Sequence, residues 1–347
     1  MPTSLIDKPL SMMNDPVNAS VFELTASRTL LTKQAEITPE QISASEILAK
    51  TLYSAISPGT ELAAWRGDKP LREGNIYPRL VGYCNVAQVR AKGAQVSGVE
   101  VGDFILTHQS HRSAFIADKS AVLTVIPKEM NLVWVSTTYL YHLGYSALLK
   151  ANPGPGATVA IVGLGTLGFA TLLLANALGY RVTGFSNQPT QLPDPLQQQI
   201  TVHGKSIGPE TESRFDLVIN TSNDWQDHRL SMQLARKGGT IAVIGFPGRT
   251  QPTPDFNPLE SQYFYDKQLT LTACGMVPNL DVPEHEIRFT IKRNCAFLLD
   301  LIHKGRLNAE LLITEVLPWH ELAQAYDKLE NRSSGLRTCI LDWTTHE

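Results

Sequence analysis

Gly163, Gly165 and Gly168 stand in the stretch "TVAIVGLGTLG", directly after an apolar run that reads as a strand and at the start of one that reads as a helix. In that context the spacing has a specific chemistry, the binding of a dinucleotide pyrophosphate. Gly163 lets the chain turn sharply, Gly165 lets backbone N–H groups approach the phosphates, and Gly168 lets the helix lie close to the strand. The helix N-terminus adds partial positive charge at the same spot. Leu164, Thr166 and Leu167 belong to the same loop and are candidate cofactor contacts. So are Thr221, near the end of "FDLVINTS", and Gly245 and Phe246, which close "TIAVIGF".

The next apolar strand, "YRVTGFS", selects between the two nicotinamide cofactors. NAD-binding chains usually place an Asp or Glu at its end for the ribose 2′-hydroxyl. Here Ser186 is followed by Asn187. A carboxylate would repel a 2′-phosphate, whereas a hydroxyl and an amide can hydrogen-bond it. NADPH is therefore the expected cofactor, with NADH as the alternative. No arginine stands immediately beside the pair, and Lys205 is a cation whose position the sequence leaves open.

These residues need a parallel sheet to hold them. From residue 158 apolar strands alternate with helical stretches: "TVAIVG", "TLGFATLLLANALG", "YRVTGFS", "FDLVINTS", "LSMQLARKGG" and "TIAVIGF". That alternation predicts an α/β, doubly wound parallel sheet. Residues 21–150 instead carry short β-type runs broken by Gly and Pro, among them "SEILAKTLYSAIS", "CNVAQVRAKG", "DFILTHQSHRSAFIA" and "AVLTVIP". They predict a compact, mostly antiparallel β domain. Helices are expected over 285–304 and 320–330, and "RTCILDW" reads as a closing strand. A chain of 347 residues exceeds what one core usually supports. The expected division is 1–150 with 277–347 as one domain and 151–276 as the dinucleotide-binding domain.

The bulk properties exclude several classes. A formal net charge of -3 argues against nucleic acid or an anionic membrane as partner. No apolar run reaches the roughly 20 residues of a membrane-spanning helix. The N-terminal "MPTSLIDKPLSMMNDPVNAS" lacks the basic and apolar regions of a secretory signal, and its first dozen residues are expected to be mobile. Cys84, Cys274, Cys295 and Cys339 have no metal-knuckle spacing and read as buried free thiols of a cytoplasmic protein. His108 and His111 are three apart, which hints at metal; lacking a third ligand, they are expected on a surface loop.

Six stretches in order, "SPGTEL", "YPRLVGY", "GVEVGDFI", "LGYSALLKANPGPGATVAIVGLGTLG", "KGGTIAVIGF" and "GLRTCIL", resemble the medium-chain dehydrogenase/reductase superfamily over roughly residues 45–343. The resemblance implies a GroES-like, β-rich catalytic domain interrupted by a Rossmann domain, a small-molecule substrate and a homodimer. It puts Arg337 where relatives place an arginine near the cofactor pyrophosphate. Zinc-dependent members bind zinc through a Cys before "G-T-D", a "G-H-E" and a Cys or Asp before a "T-G-Y" helix. Pro58, then Tyr83 with Cys84, and Tyr139 stand at those places here. The lobe carrying four cysteines has no room between "DFILTHQSHR" and "SAFIA". The chain is thus identified as a zinc-free member.

Thr60 and Glu61 remain where zinc relatives keep a proton-relaying hydroxyl and a supporting acid. The resemblance then implies that Thr60, Tyr83, Tyr139 and His142 line the pocket beside the nicotinamide, with Glu61 orienting one of them. A phenol or imidazole would donate the hydrogen bond that zinc would otherwise supply to a developing alkoxide. The alternative is that Glu61 caps or pairs structurally and the tyrosines are pocket wall. "S-x-G-T-E" with "G-Y" resembles members acting in biosynthetic pathways, which favours a bulky secondary-metabolite substrate. The expected activity is NADPH-dependent reduction of a ketone or aldehyde. Reduction of an activated C=C by a zinc-free enoyl or quinone reductase, and a non-catalytic nucleotide sensor or scaffold, are the competing readings.

Overall fold

The computed structural model describes residues 16–69, 74–188, 190, 192–275, 277–331 and 335–345. The expected mobility of the first dozen residues concerns residues outside this set. In chain order the first elements are β1 (Val17–Ala26), β2 (Thr29–Ile37), β3 (Glu46–Ala55), α1 (Pro58–Arg66), β4 (Arg79–Leu80), β5 (Asn85–Lys92), β6 (Phe104–Thr107), β7 (Ala114–Asp118), β8 (Val122–Ile126) and α2 (Leu132–Val135). There follow α3 (Thr138–Ala151), β9 (Thr158–Val162), α4 (Thr166–Ala177), β10 (Arg181–Phe185), α5 (Asp194–Gln197), β11 (Thr201–His203), β12 (Phe215–Asn220), α6 (Trp225–Leu234), β13 (Ala235–Val243) and β14 (Thr270–Ala273). The chain closes with α7 (Ile291–His303), β15 (Ile313–Pro318), α8 (Leu322–Glu330) and β16 (Thr338–Asp342).

Two compact units result. The first takes the chain up to Ser136, then Val316–Tyr326 and the residues from Ile340; the second takes Thr137–Glu315 and Asp327–Cys339. This grouping differs from the division expected from sequence, because residues 137–150, 277–315 and 327–339 fall in the second unit. The reason is packing: α3 lies against both α4 and α7. Gly144 makes the α3–α4 approach possible, since a Cβ there would come within 2.4 Å of Thr171 Oγ1.

In the first unit β2, β1 and β4 form one antiparallel sheet, and β15, β16, β3, β5, β6 and β8 lie side by side in another, with β7 paired to β3. Alternate residues of β3, Ile47 and Ala49, meet Ala87, Val89, Ile105 and Phe115 in the core, as the period of a half-buried strand requires. Val96 and Val99, between their glycines, complete that core. The stretch "SPGTELAAWR" is helical, and its proline has a local explanation. Pro58 occupies the first helical position of α1, where its fixed φ fits and its missing N–H costs nothing.

In the second unit six parallel strands run in the order β11, β10, β9, β12, β13, β14. β9 is buried over Val159–Val162, the mark of a strand covered on both faces. Strand order reverses between β9 and β12, and their C-terminal ends flank the crevice that such a reversal opens. The helix expected from "LSMQLARKGG" is shorter than its pattern: α6 stops at Leu234, and "ARKGG" is extended at the start of β13, where Ala235 pairs with Phe215. α7 begins only at Ile291, where the Thr290 hydroxyl accepts from Arg293 N–H. Among the described residues no helix is long and apolar enough to cross a membrane. Cys84, Cys295 and Cys339 are buried free thiols as expected, while Cys274 is half-buried. Burial pushes the thiols of Cys274 and Cys339 up to about 11 and that of Cys295 to about 12, away from reactive thiolate.

Candidate functional site

The glycine loop of the second unit is shaped as its spacing predicts. Gly163 turns out of β9 with φ +86°, a conformation that favours glycine. Thr221, just past β12, fastens the turn by donating its hydroxyl to Gly163 O at 2.7 Å. A Cβ on Gly168 would lie 1.7 Å from Gly163 O, so α4 can start here only without one. Gly165, the N-cap of α4, is exposed, and a Cβ on it would meet nothing within 4 Å. The first-turn N–H groups of a helix have no partner within it. An open face over them is what a pyrophosphate needs, and the residues present fit that group.

Arg337 joins this cradle. Its guanidinium lies 4.4 Å over the Phe169 ring, donates to Leu164 O and reaches Thr190 Oγ1 at 3.4 Å. Thr166 donates its hydroxyl to Arg337 O. Leu164 is buried and Leu167 half-buried. Gly245 packs on the chain after β12, where a Cβ would meet Ser222 O at 2.2 Å. Phe246 is 44% exposed, with its N–H on Asn223 Oδ1.

At the end of β10, Ser186 Oγ accepts from Gln188 N–H at 3.0 Å, and exposed Asn187 accepts from Lys205 N–H at 3.4 Å. Lys205 therefore stands beside the two residues that replace the acid. Its ammonium is paired with buried Asp227 at 2.6 Å.

The first unit assembles a different chemistry around the start of α1. Ser57 is its N-cap, yet its hydroxyl makes no cap bond. Glu61 makes a different bond at this helix start: Oε1 accepts from Ser57 N–H at 2.7 Å, and an acid in the first turn suits the helix dipole. Ser57 Oγ is left to bond the Tyr83 hydroxyl, which also lies 3.5 Å from Thr60 Oγ1. Three hydroxyls, of Ser57, Thr60 and Tyr83, thus converge. Thr60 is exposed and Tyr83 half-buried. Burial pushes the Tyr83 phenol above its usual range, so it remains a proton-bearing donor.

Glu61 Oε2 accepts from Tyr326 O–H at 2.6 Å and lies 2.8 Å from His111 Nε2. His111 is not on the surface: it is 0% exposed. The chain between β6 and β7 turns inward there, with His111 N–H on Val81 O at 2.8 Å. Gly82 makes room for the ring, which a Cβ would approach to 2.7 Å. His108 is half-buried as well, its Nδ1 3.3 Å from Tyr83 O, and burial lowers its pKa. Neither histidine meets the surface expectation. Ser57 and Tyr326 are the members of this cluster that the sequence did not single out, and His111 was singled out only as half of a metal hint. An N-cap serine before Pro-Gly-Thr-Glu was the one local signal available.

In the second unit Tyr139 stacks on His142 with ring centroids 5.1 Å apart, and His142 Nε2 meets Asn294 Nδ2 of α7 at 3.3 Å. His142 is 2% exposed. A catalytic zinc takes three protein ligands. Pro58 offers no side-chain donor, and the Tyr83 hydroxyl is bonded to Ser57. No group of three His, Cys, Asp or Glu among the described residues is arranged to hold a metal ion.

No family model matches the chain. It is 31% identical over 192 residues to the NADP-dependent alcohol dehydrogenase C 1 of Mycolicibacterium smegmatis, a match covering 52% of this chain and 54%, about half, of that relative. It is 21% identical over 346 residues to the mitochondrial enoyl-[acyl-carrier-protein] reductase of Arabidopsis thaliana, covering 94% of this chain and 88% of that one. Among solved structures, CAD from Helicobacter pylori, complexed with NADP(H), matches with a TM-score of 0.74 and 16% identity over 96% of this chain and 100% of that one.

Proposed function

We propose that this chain, whose relatives and structural neighbours are zinc-type alcohol dehydrogenases and other medium-chain dehydrogenases/reductases, is an NADP(H)-dependent oxidoreductase that reduces a ketone or aldehyde without zinc. Its fold, a GroES-like β-rich unit with a Rossmann unit, is theirs. The observation that carries the carbonyl reading is the Tyr83 hydroxyl, kept protonated by burial and held by Ser57 beside Thr60.

NADPH, when bound, supplies hydride to the carbonyl carbon. Gly163, Gly165 and Gly168 leave the backbone open to its pyrophosphate, and Arg337 adds a cation at the same helix start. The chain's other task is to meet the charge that builds on oxygen. Tyr83 O–H donates to Ser57 Oγ, and a carbonyl oxygen in reach would take that hydrogen bond in place of Ser57. Thr60 is near enough to accept or relay the phenolic proton.

A panel of ketones, aldehydes and enones assayed by NADPH oxidation tests this reading. Turnover confined to carbonyl compounds supports it. Turnover confined to enones favours reduction of an activated C=C, the second reading, which the match to the plant enoyl reductase supports along nearly the whole chain. Tight NADPH binding with no turnover would leave a nucleotide sensor.

Two further results are expected. Ser186→Asp should cut the preference for NADPH over NADH by about tenfold or more in a direct titration, because a carboxylate there repels the 2′-phosphate. Equal affinities in the unaltered protein would remove the premise. Metal analysis of protein purified without a metal-binding tag should return well under one zinc per chain. One tightly held zinc, lost together with activity on chelation, would overturn the zinc-free mechanism. A homodimer extending the parallel sheet through its edge strand β14 is the assembly to look for by light scattering.

A further inference from the structure

Behind Tyr83 the first unit carries a buried chain of polar side chains that the carbonyl chemistry has not used. Trp343 Nε1–H donates to Ser54 Oγ at 2.9 Å, and Ser54 Oγ lies 2.8 Å from His111 Nδ1. Indole is a donor only, so Ser54 Oγ accepts from it. A carboxylate only accepts, so His111 Nε2 donates to Glu61. Ser54 and His111 are 0% exposed, Glu61 2% and Tyr326 0%. Ser54, His111 and Glu61 have the order of a hydrolytic triad, yet a serine buried beneath an indole meets no substrate.

The chain instead ends on a carboxyl group whose contacts are all specified. Glu61 accepts from His111, from Tyr326 and from Ser57 N–H. The last bond matters most. Glu61 Oε1 fixes the Ser57 backbone through its N–H, and the Ser57 hydroxyl, which makes no cap bond, receives the Tyr83 O–H. The orientation of Ser57 therefore depends on where the Glu61 carboxyl group sits. Two donors arriving from separate stretches of chain set that position.

We propose that His111 and Tyr326 are positioning residues for Tyr83, acting through Glu61 and the N-cap serine Ser57. The proposal rests on the reading of Tyr83 as hydrogen-bond donor to a carbonyl oxygen. Burial and the neighbouring Glu61 push the Tyr326 phenol far above its usual range, which keeps it a donor.

A double-mutant cycle tests it. Tyr326→Phe removes one hydroxyl and keeps the ring packed on Trp65; His111→Met removes the imidazole bonds. Each is made alone and with Tyr83→Phe. Either single change should lower kcat by roughly tenfold with KM for NADPH unchanged, the scale of one lost hydrogen bond. In the Tyr83→Phe background neither should cost more than about twofold, since the group being positioned is gone. His111→Gln, whose amide can still donate to Glu61, should recover most of the turnover. Equal losses in both backgrounds would mean a merely structural role and overturn the proposal. If Tyr83→Phe itself leaves turnover intact, it is the carbonyl-donor reading that falls. A crystal structure of His111→Met, or of Tyr326→Phe if the former does not fold, decides the matter without turnover. The Ser57 and Tyr83 hydroxyls should separate beyond hydrogen-bond distance; an unchanged contact overturns the proposal.

Discussion

Replacing Gly168 with alanine should weaken NADPH binding at least about 100-fold, a change of roughly 2.7 kcal/mol. The added Cβ would fall 1.7 Å from Gly163 O and 2.9 Å from Thr221 Oγ1. Neither neighbour can retreat cheaply. Gly163 O belongs to the backbone turn out of β9, and Thr221 is the residue that fastens that turn. α4 must therefore shift away from the sheet, and its first-turn N–H groups move with it. Overpacking of this kind typically costs about 1–3 kcal/mol in stability, so a lower melting temperature should accompany the lost affinity. Gly165→Ala is the informative partner. Its Cβ would meet no protein atom within 4 Å, so folding should be unaffected, and any loss of affinity reports the ligand's own approach. Fluorescence titration with NADPH and thermal melts of both variants separate the two effects. Unimpaired NADPH binding by Gly168→Ala would show that the cofactor does not use this loop.

Tyr83→Phe should lower turnover of a carbonyl substrate by roughly 10²-fold, the scale of losing one oxyanion donor, with NADPH affinity nearly unchanged. The substitution deletes only the hydroxyl that Ser57 and Thr60 hold. Hydride transfer to carbonyl carbon leaves charge on oxygen. Zinc would contribute several kcal/mol to stabilising it, and a phenol supplies part of that through a hydrogen bond. The phenol is raised above its ordinary value of 10.0 by burial, so it is protonated below that pH and loses its proton only above it. Turnover limited by this group should accordingly hold level from pH 7 to about 10 rather than fall through neutrality. If Tyr83→Phe retains full activity while His142→Gln abolishes it, the imidazole is the donor. A null result for both would move C=C reduction ahead.

The glycine cradle was legible in the sequence because its chemistry is local. A strand end, three glycines and a helix start lie within eleven residues, and each glycine answers to a backbone requirement met inside that span. The absence of an acid at Ser186 and of a thiol at Pro58 was equally readable, since a residue's inability to ligate or ionise needs no partner. Other features were hidden by their own sequence surroundings. "THQSHRS" is polar and reads as surface, yet His111 is buried, because the groups that satisfy it sit at Ser54, Glu61 and, through them, Tyr326 and Trp343. Residues 137–150 read as the end of the β-rich domain and pack instead on α4 of the second unit through Gly144.

By itself, then, the sequence determined which groups this protein can offer: a glycine turn with its backbone open, a strand end without a carboxylate, and a phenol and hydroxyls with a proline that has no side-chain ligand. Only the tertiary structure decided how the acid among them is used. Glu61 holds the Ser57 N–H and faces His111 and Tyr326, while the Ser57 hydroxyl meets Tyr83. A buried carboxyl group must have its hydrogen bonds satisfied. Here the donors come from positions up to 265 residues away in the chain, so no local pattern could have announced them.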